Sequence, residues 1–302
     1  FVKYMAASLG EDRSILVTNK SNGEEFSFKT RTEFYGRNKA KNEGWLREFN
    51  KKADKPLTYE DFFIVDVQTP KPVEFSLQIA KTQVNNALES LGTDLYKAFL
   101  GKGDCWRVER STLLKYKGQR ESLLKPLHLD AVTEYLISKY KANVVTGWES
   151  DDACVAECYK QNDHVLIGAE KDFYGCPVRY FNASKPDEGV LDCDTFGRLY
   201  LNSKGQVKGY GRLFFYWQVG SGDSVDNYHA NCFSNIKWAD KSAYNALHNT
   251  RNDKQAFQAL KEIYQHLYPT PKVVTGWRGD QIEIDWQYVL NENFDLSRMQ
   301  RF

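Results

Sequence analysis

The sequence predicts an α/β fold in which a central, mostly parallel sheet is flanked by helices. Three observations carry that expectation. Phe62 to Val67 reads as a strand, Val73 to Leu91 as a helix and Tyr96 to Leu100 as a strand again, which is the alternation a parallel sheet requires. The amphipathic stretch Leu127 to Tyr140 then leads into a second such step, the strand Val144-Val145. Finally, His164-Val165-Leu166-Ile167-Gly168 is short and apolar, as a strand covered on both faces should be.

The remaining elements follow from local pattern. Phe1 to Gly10 places Val2, Met5, Ala6 and Leu9 at helical spacing. Ile15-Leu16-Val17 and Phe26-Ser27-Phe28 flank Asn22-Gly23, the signature of a hairpin. Pro70 and Pro72 should end the strand begun at Phe62. The helix after them should turn Phe75, Ile79, Val84, Leu88 and Leu91 inward and stop at Gly92. Ser150 is a favourable N-cap for a helix over Asp151 to Lys160, with Cys154 and Cys158 on one face. Val178 to Phe181 and Leu199 to Leu201 read as strands. Trp238 to His248 and Lys254 to Tyr268 read as helices, and the tail as strand-like and loop segments.

With 302 residues the chain can bury a sizeable core. No apolar run approaches the ~20 residues that cross a bilayer and no signal peptide is visible, so a cytoplasmic location is expected. The six cysteines form no pair of CxxC motifs, which argues against zinc and fits reduced thiols. The formal charge of +1 hides an asymmetry. Lys97 to Lys125 holds eight Lys/Arg against three Asp/Glu, whereas Glu149 to Asp194 holds four against eleven. A basic region thus precedes an acidic one. Within the first, Arg107, Arg110, Lys115, Lys117, Arg120 and Lys125 outnumber local acids, and phosphate is a natural partner for such a helix; a solvated face is the alternative. A further stretch, Arg31 to Lys55, interleaves eight basic residues with Phe34, Tyr35, Trp45 and Phe49. It fits either a groove for single-stranded nucleic acid or a loop with a packed underside.

The acidic residues form three groups. Glu149, Asp151 and Asp152 open a helix, Glu170 and Asp172 emerge at the C-terminal end of a strand, and Asp223 and Asp226 stand three apart on a turn. Each group has an ordinary explanation, since helix dipoles favour acids in a first turn and turns are commonly acidic. Converging on one sheet edge they would repel one another, and by sequence the Lys/Arg supply lies elsewhere. Hard divalent ions with oxygen ligands, a pair of Mg²⁺ or Mn²⁺, are the natural compensation. Two such ions suit phosphodiester hydrolysis.

TGWESDDA, LIGAEKDF and VGSGDSVDN resemble, in order and at compatible spacing, the E-[AG]-x-D-D, S-x-D-x-D and G-D-x-x-D-N signatures of the flap endonuclease/5′→3′ exonuclease superfamily. WRVERSTLLKYKGQR is similar to the segment ending Y-K-x-N-R that begins the helical arch of those enzymes. The likeness is greatest to the stand-alone exonucleases of tailed phages and covers about Tyr96 to Leu247. It implies a Rossmann-like core over residues 1–220, with an arch over about 106–140, and a helix-turn-helix-type duplex-binding region over 221–302. It further implies that Glu149, Asp151, Asp152, Glu170 and Asp172 surround one metal and that Asp172, Asp223 and Asp226 approach a second. Lys117 would reach the scissile phosphate and Arg120 would stabilise its charge. Arg107 and Lys125 would contact the strand, Tyr116 would stack on a terminal base, and Lys237 and Lys241 would meet duplex phosphates.

The sequence also departs from the family pattern. The first catalytic Asp of the family lies on a strand directly before a helix like FVKYMAAS, ahead of Phe1. Gly101 stands near the place of the Asp that follows the second strand, leaving Asp104 as its stand-in. Glu170 replaces an Asp, and the G-x-G of the usual duplex-binding turn is absent. The resemblance implies a metal-dependent 5′→3′ exonuclease or flap endonuclease acting on DNA or RNA–DNA hybrid, alongside replication proteins in an infected bacterium. The alternatives are a catalytically impaired structure-specific DNA-binding protein of the same fold, and a PIN-type ribonuclease.

Overall fold

The computed structural model describes residues 1–38, 43–53, 55–161 and 163–299. The protein is a mixed α/β chain of helices and small sheets. It divides into two compact units, one formed by Val2–Thr82 with Lys125–Tyr135 and the other by Phe1, Gln83–Leu124 and Leu136–Phe302. These units do not follow the expected division at residue 220.

In the first unit, helix α1 (Val2–Leu9) buries Ala6 and Ala7, while Leu9 is 50% exposed rather than inward. Strands β1 (Glu11–Asn19) and β2 (Glu25–Phe28) form the expected hairpin, with Ile15 opposite Phe28 and Gly23 at φ 72° in its turn. Helices α2 (Arg31–Tyr35) and α3 (Trp45–Asn50) follow. Strand β3 (Phe62–Pro70) lies along the other side of β1 and runs through Pro70. A proline is tolerated there because β3 is an edge strand. Alternation along these strands turns Ile15, Val17, Phe28 and Phe62 into a core completed by Phe34, Tyr35 and Leu46.

The basic and aromatic stretch therefore has the packed-underside form. Phe34, Tyr35, Trp45 and Phe49 pack against one another and against Phe26, Phe28 and Phe62, mostly tilted or edge-on, which leaves no row of rings for bases. Arg31 is paired with Asp66 and Lys51 with Glu48. Residues 39–42 and 54 of that stretch lie outside the described residues.

Helix α4 (Val73–Leu91) has the expected limits, and Gly92 follows it at φ 61°. Its buried line is Ser76, Ala80 and Ala87, whereas Phe75, expected inward, is 48% exposed.

In the second unit, β4 (Phe99–Cys105) pairs in parallel with β5 (Asn143–Gly147). Between them in the chain lie α5 (Trp106–Arg110) and α6 (Leu129–Tyr140), the latter belonging to the first unit as far as Tyr135. Beyond Arg110 the expected basic helix is replaced by an irregular strap and one 3-10 turn at Gly118–Arg120. Helix α7 (Ser150–Cys158) leads to β6 (Val165–Gly168), which pairs in parallel with β7 (Arg179–Asn182); β8 (Val190–Asp192) joins β7 antiparallel. The two parallel pairs thus exist, but in separate small sheets. A central strand would be covered on both faces, whereas β5 is mostly exposed.

A hairpin of β9 (Arg198–Leu201) and β10 (Val207–Tyr210) precedes α8 (Arg212–Ser221). A two-residue ladder, β11 (Gly222–Asp223) with β12 (Tyr228–His229), closes the next turn. Helices α9 (Asp240–Leu247) and α10 (Asp253–Leu267), a hairpin of β13 (Lys272–Thr275) with β14 (Gln281–Ile284), and helix α11 (Trp286–Ser297) complete the unit. Only strand-like and loop structure was expected where α11 lies.

Helix α8 is the centre of this unit. Leu213, Phe214, Trp217 and Val219 meet Leu247, Leu260, Ile263 and Leu290 from the helices around it. Each such side chain contributes roughly 1.5–3 kcal/mol on burial. Gly220 lets α10 come close, since a Cβ there would stand 3.1 Å from Leu260. The buried Tyr264 hydroxyl donates to the Val219 carbonyl and accepts from Asn293, so no polar group is stranded at this contact.

Candidate metal centre

Three elements of the second unit bring the acids together. Helix α7 begins one residue earlier than expected, with Glu149 rather than Ser150 at its N-cap, so Asp151 and Asp152 occupy its first turn. The end of β6 delivers Glu170 and Asp172 on either side of Lys171. The β11–β12 turn delivers Asp223 and Asp226, and Asp223 Oδ1 accepts from the N–H groups of Val225 (2.7 Å) and Asp226 (3.3 Å).

Asp172, Asp223 and Asp226 each present a carboxylate oxygen within 4.8 Å of the others. Glu149, Asp151, Glu170, Asp172 and Asp226 line one cleft, into which Lys117 and Arg120 project. Two expected ligands fall outside that arrangement. Asp104 is exposed on β4 and does not line the cleft; it falls in the register shift between Lys102 and Cys105, where the β4–β5 pairing is interrupted. Asp152 is fully buried and committed to Arg107, whose Nη1 and Nη2 grip its two oxygens at 2.7 and 2.8 Å, while Trp106 Nε1 donates at 3.1 Å.

Arg107 is itself 1% exposed and cannot meet a nucleic-acid strand. It also reaches Glu149 (2.8 Å) and the carbonyls of Leu296 (3.0 Å) and Arg298 (2.7 Å), which uses its whole donor fork. Such a fully bonded buried pair holds geometry more than it adds stability.

Tyr116 likewise differs from expectation, because it is 3% exposed and offers no face to a base. Its hydroxyl stands 3.0 Å from both Glu149 and Asp226 and can give its one proton to only one of them. Burial and those two charges push its phenol well above the usual range. Helix α11 fixes the strap that carries this tyrosine, through Glu292, which accepts from the N–H groups of Thr112 and Leu113.

Cations are closer to the acids than the sequence suggested. Lys117 pairs with Glu149 and lies 3.9 Å from Asp226; its φ of 55° and the bond from its N–H to the Asp226 carbonyl set that position. Arg120 Nη2 meets Asp226 at 2.9 Å. Lys171, which was not singled out, meets the nearly buried Asp223 at 2.8 Å. Its place between Glu170 and Asp172 was the available signal. Asp151, Glu170 and Asp172 have no ion-pair partner among the described residues. Gln218 of α8, also missed, donates its amide to Asp172, and no sequence pattern marked it.

The protonation equilibria reflect this uneven compensation. Burial, then the Glu149 charge, raises Asp151 to about 6. Burial, with Asp223 and Asp226 adding to it and Lys171 opposing, raises Asp172 to about 7. Burial also raises Asp226 despite Lys117, whereas Lys171 holds Asp223 below the ordinary carboxylate value in spite of burial.

The chain matches no protein-family model and no curated protein.

The donors in the cleft are all hard carboxylate oxygens, and three of the carboxylates share one small space at the cost of raised proton affinity in two of them. Both features fit Mg²⁺ or Mn²⁺. Of the expected phosphate contacts, Lys237 and Lys241 are exposed in this unit, and Lys125 is exposed in the other. Cys154 and Cys158 are free thiols packed against the β6–β7 core, and burial raises them to about 12 and about 11, which favours the neutral thiol over the nucleophilic thiolate. Among the described residues no helix is long and apolar enough to cross a membrane.

Proposed function

We propose that the protein is a metal-dependent phosphodiester hydrolase of the flap endonuclease/5′→3′ exonuclease type, acting near 5′ ends of DNA or RNA–DNA hybrid. The observation that carries this reading is the Asp172, Asp223 and Asp226 triad, with oxygens within 4.8 Å, at a cleft shared with Glu149, Asp151, Glu170, Lys117 and Arg120.

Asp172, Asp223 and Asp226 would hold one ion, and Glu149, Asp151 and Glu170, with Asp172 between the two groups, a second. Bound there, two ions would supply an activated water and neutralise the departing oxygen. Lys117 and Arg120 contact the scissile phosphate and balance charge that develops on it. In the metal-free chain both are held against Glu149 and Asp226, so they are already pointed into the cleft. Tyr116 and Arg107 are positioning residues that fix Glu149 from below. Selection would rest on shape and phosphate contacts rather than base identity. The Rossmann-like description of the core, the duplex-binding role of α9 and α10, a cytoplasmic location and work beside replication proteins belong to the same proposal.

A second reading, a structure-specific DNA-binding protein without activity, is favoured by one feature. Lys171, Lys117 and Arg120 already neutralise Asp223, Glu149 and Asp226 without metal. Cleavage of a 5′-labelled flap duplex with Mn²⁺ separates the two. Cutting that stops with chelator and in Asp172→Asn supports the nuclease. Tight binding without cutting at any metal concentration supports the binding protein. The PIN-type ribonuclease reading predicts cutting of single-stranded RNA in preference to the flap.

A further inference from the structure

Around the cleft Arg107, Lys117, Arg120 and Lys171 are all paired with carboxylates, but one region of the same unit shows the opposite. From Thr195 to Gly211 the chain has three cations, Arg198, Lys204 and Lys208, and no acid. These three, together with Lys237 and Lys241, are exposed and have no carboxylate at ion-pair distance among the described residues. The register of the β9–β10 hairpin sets Lys208 opposite Tyr200 and Arg198 opposite Tyr210, so the four side chains share one face, on which Tyr210 packs against the β6–β7 core and the other three are exposed. The other face carries Leu199 and Val207 into the core. On the outer face the Arg198 guanidinium lies 5.5 Å from the Tyr200 ring, and Tyr200 is 45% exposed. Helix α9 packs against β10, and Lys241 lies over the hairpin turn, where a Cβ on Gly205 would stand 3.4 Å from its Nζ.

We propose that the outer face of the β9–β10 hairpin, with α9, is a docking surface for the backbone of a nucleic-acid strand. Unpaired cations in this number suit a polyanion, and an exposed ring beside them offers a base a stacking partner. Helix α8 gives the surface its distance from the cleft. The hairpin enters one end of that helix and Asp223 leaves the other, ten residues apart, or ~15 Å at 1.5 Å per residue. A strand that runs along α8 from the cleft would therefore continue for about four to five nucleotides, at about 3.4 Å each, before it reaches the hairpin. The identity of the strand as the substrate rests on the nuclease reading of the cleft.

The test is fluorescence anisotropy of labelled DNA in chelator, where nothing is cut, comparing the parent chain with the triple variant Arg198→Ser, Lys204→Ser, Lys208→Ser. A long oligonucleotide should bind the variant at least about tenfold more weakly, and the slope of log K against log salt should fall by about 2–3. An oligonucleotide of about four nucleotides should bind both alike. An unchanged thermal transition shows that the variant is folded; if it is not, Lys208→Glu alone replaces it, with the same comparison. Equal affinity and equal slope for the long DNA would overturn the proposal. Displacement by polyglutamate as effective as by unlabelled DNA at equal charge would also overturn it, by marking the surface as one for an acidic protein. Loss of DNA binding together with an inactive parent chain would refute the nuclease reading alone.

Discussion

Replacing Asp172 by Asn should make the metal-free protein more stable. The side chain is held among acids, with Asp223 and Asp226 close by, and its amide partner Gln218 can bond equally well to an Asn oxygen. In the unfolded chain Asp172 releases its proton near 3.8, but in the fold only at about 7. Between those values the folded state binds more protons than the unfolded one, so stability falls as pH rises and the whole cost is present above about pH 7. At about 1.36 kcal/mol per pH unit the span corresponds to roughly 4 kcal/mol. Asp172 is partly exposed, and screening by solvent reduces the figure to about 1–2 kcal/mol. For a unit of this size that is a rise in Tm of about 2–8 °C. Thermal unfolding of both chains with chelator, at pH 8 and pH 4, measures it. The variant should be the more stable at pH 8, and the two should coincide at pH 4. Added Mn²⁺ should close or reverse the gap, because binding stabilises the parent chain by about 2.7 kcal/mol at one hundred times the dissociation constant. A variant less stable than the parent at pH 8, or a gap of the same size at both pH values, would refute the picture of Asp172 as a repelled carboxylate.

Three further outcomes are expected. Asp152→Asn should destabilise by about 3–5 kcal/mol, since it removes the buried charge that both amines of Arg107 grip and leaves Glu149 as the one carboxylate facing that guanidinium, while Arg107→Met with Asp152→Leu should restore much of the loss; denaturant melts decide between them. Lys171→Met should lower the metal-free Tm yet enlarge the shift produced by Mn²⁺, because the ion then meets Asp223 without a competing ammonium. Mn²⁺ affinity, followed by calorimetry, should rise from pH 5 to about pH 7 as Asp151 and Asp172 lose protons, and then level off.

What the sequence revealed was whatever local pattern determines. Helix α4 was legible to the residue, because nineteen residues without a breaker end at a glycine whose φ is positive. The short apolar strand β6 and the meeting of three acidic groups were legible too, since strand ends and tight turns fix where such residues emerge. The fates of individual side chains were not. Nothing near Asp152 in the chain says that an arginine 45 positions earlier will enclose it. Tyr116 sits in a basic segment yet ends beneath two carboxylates. The rings near Trp45 resemble a stacking platform in composition, but packing turned them inward. Helix α11 was missed because its sequence mixes Asn, Glu and Asp with apolar residues, and its stability comes from the core it joins rather than from its own pattern.

The clamp on Arg107 also sets a schedule. Its guanidinium needs carbonyls 189 and 191 positions further along the chain. During synthesis, the cation and the acids it steadies leave the ribosome long before those acceptors exist. Until Arg298 has emerged, the guanidinium behind Glu149 and Asp152 lacks two of its acceptors and the cleft lacks the wall that Leu296, Ser297 and Met299 supply. The arrangement postpones completion of the acidic cleft until nearly this whole unit has been made. A nascent chain would then carry the acids without yet holding them in their final arrangement.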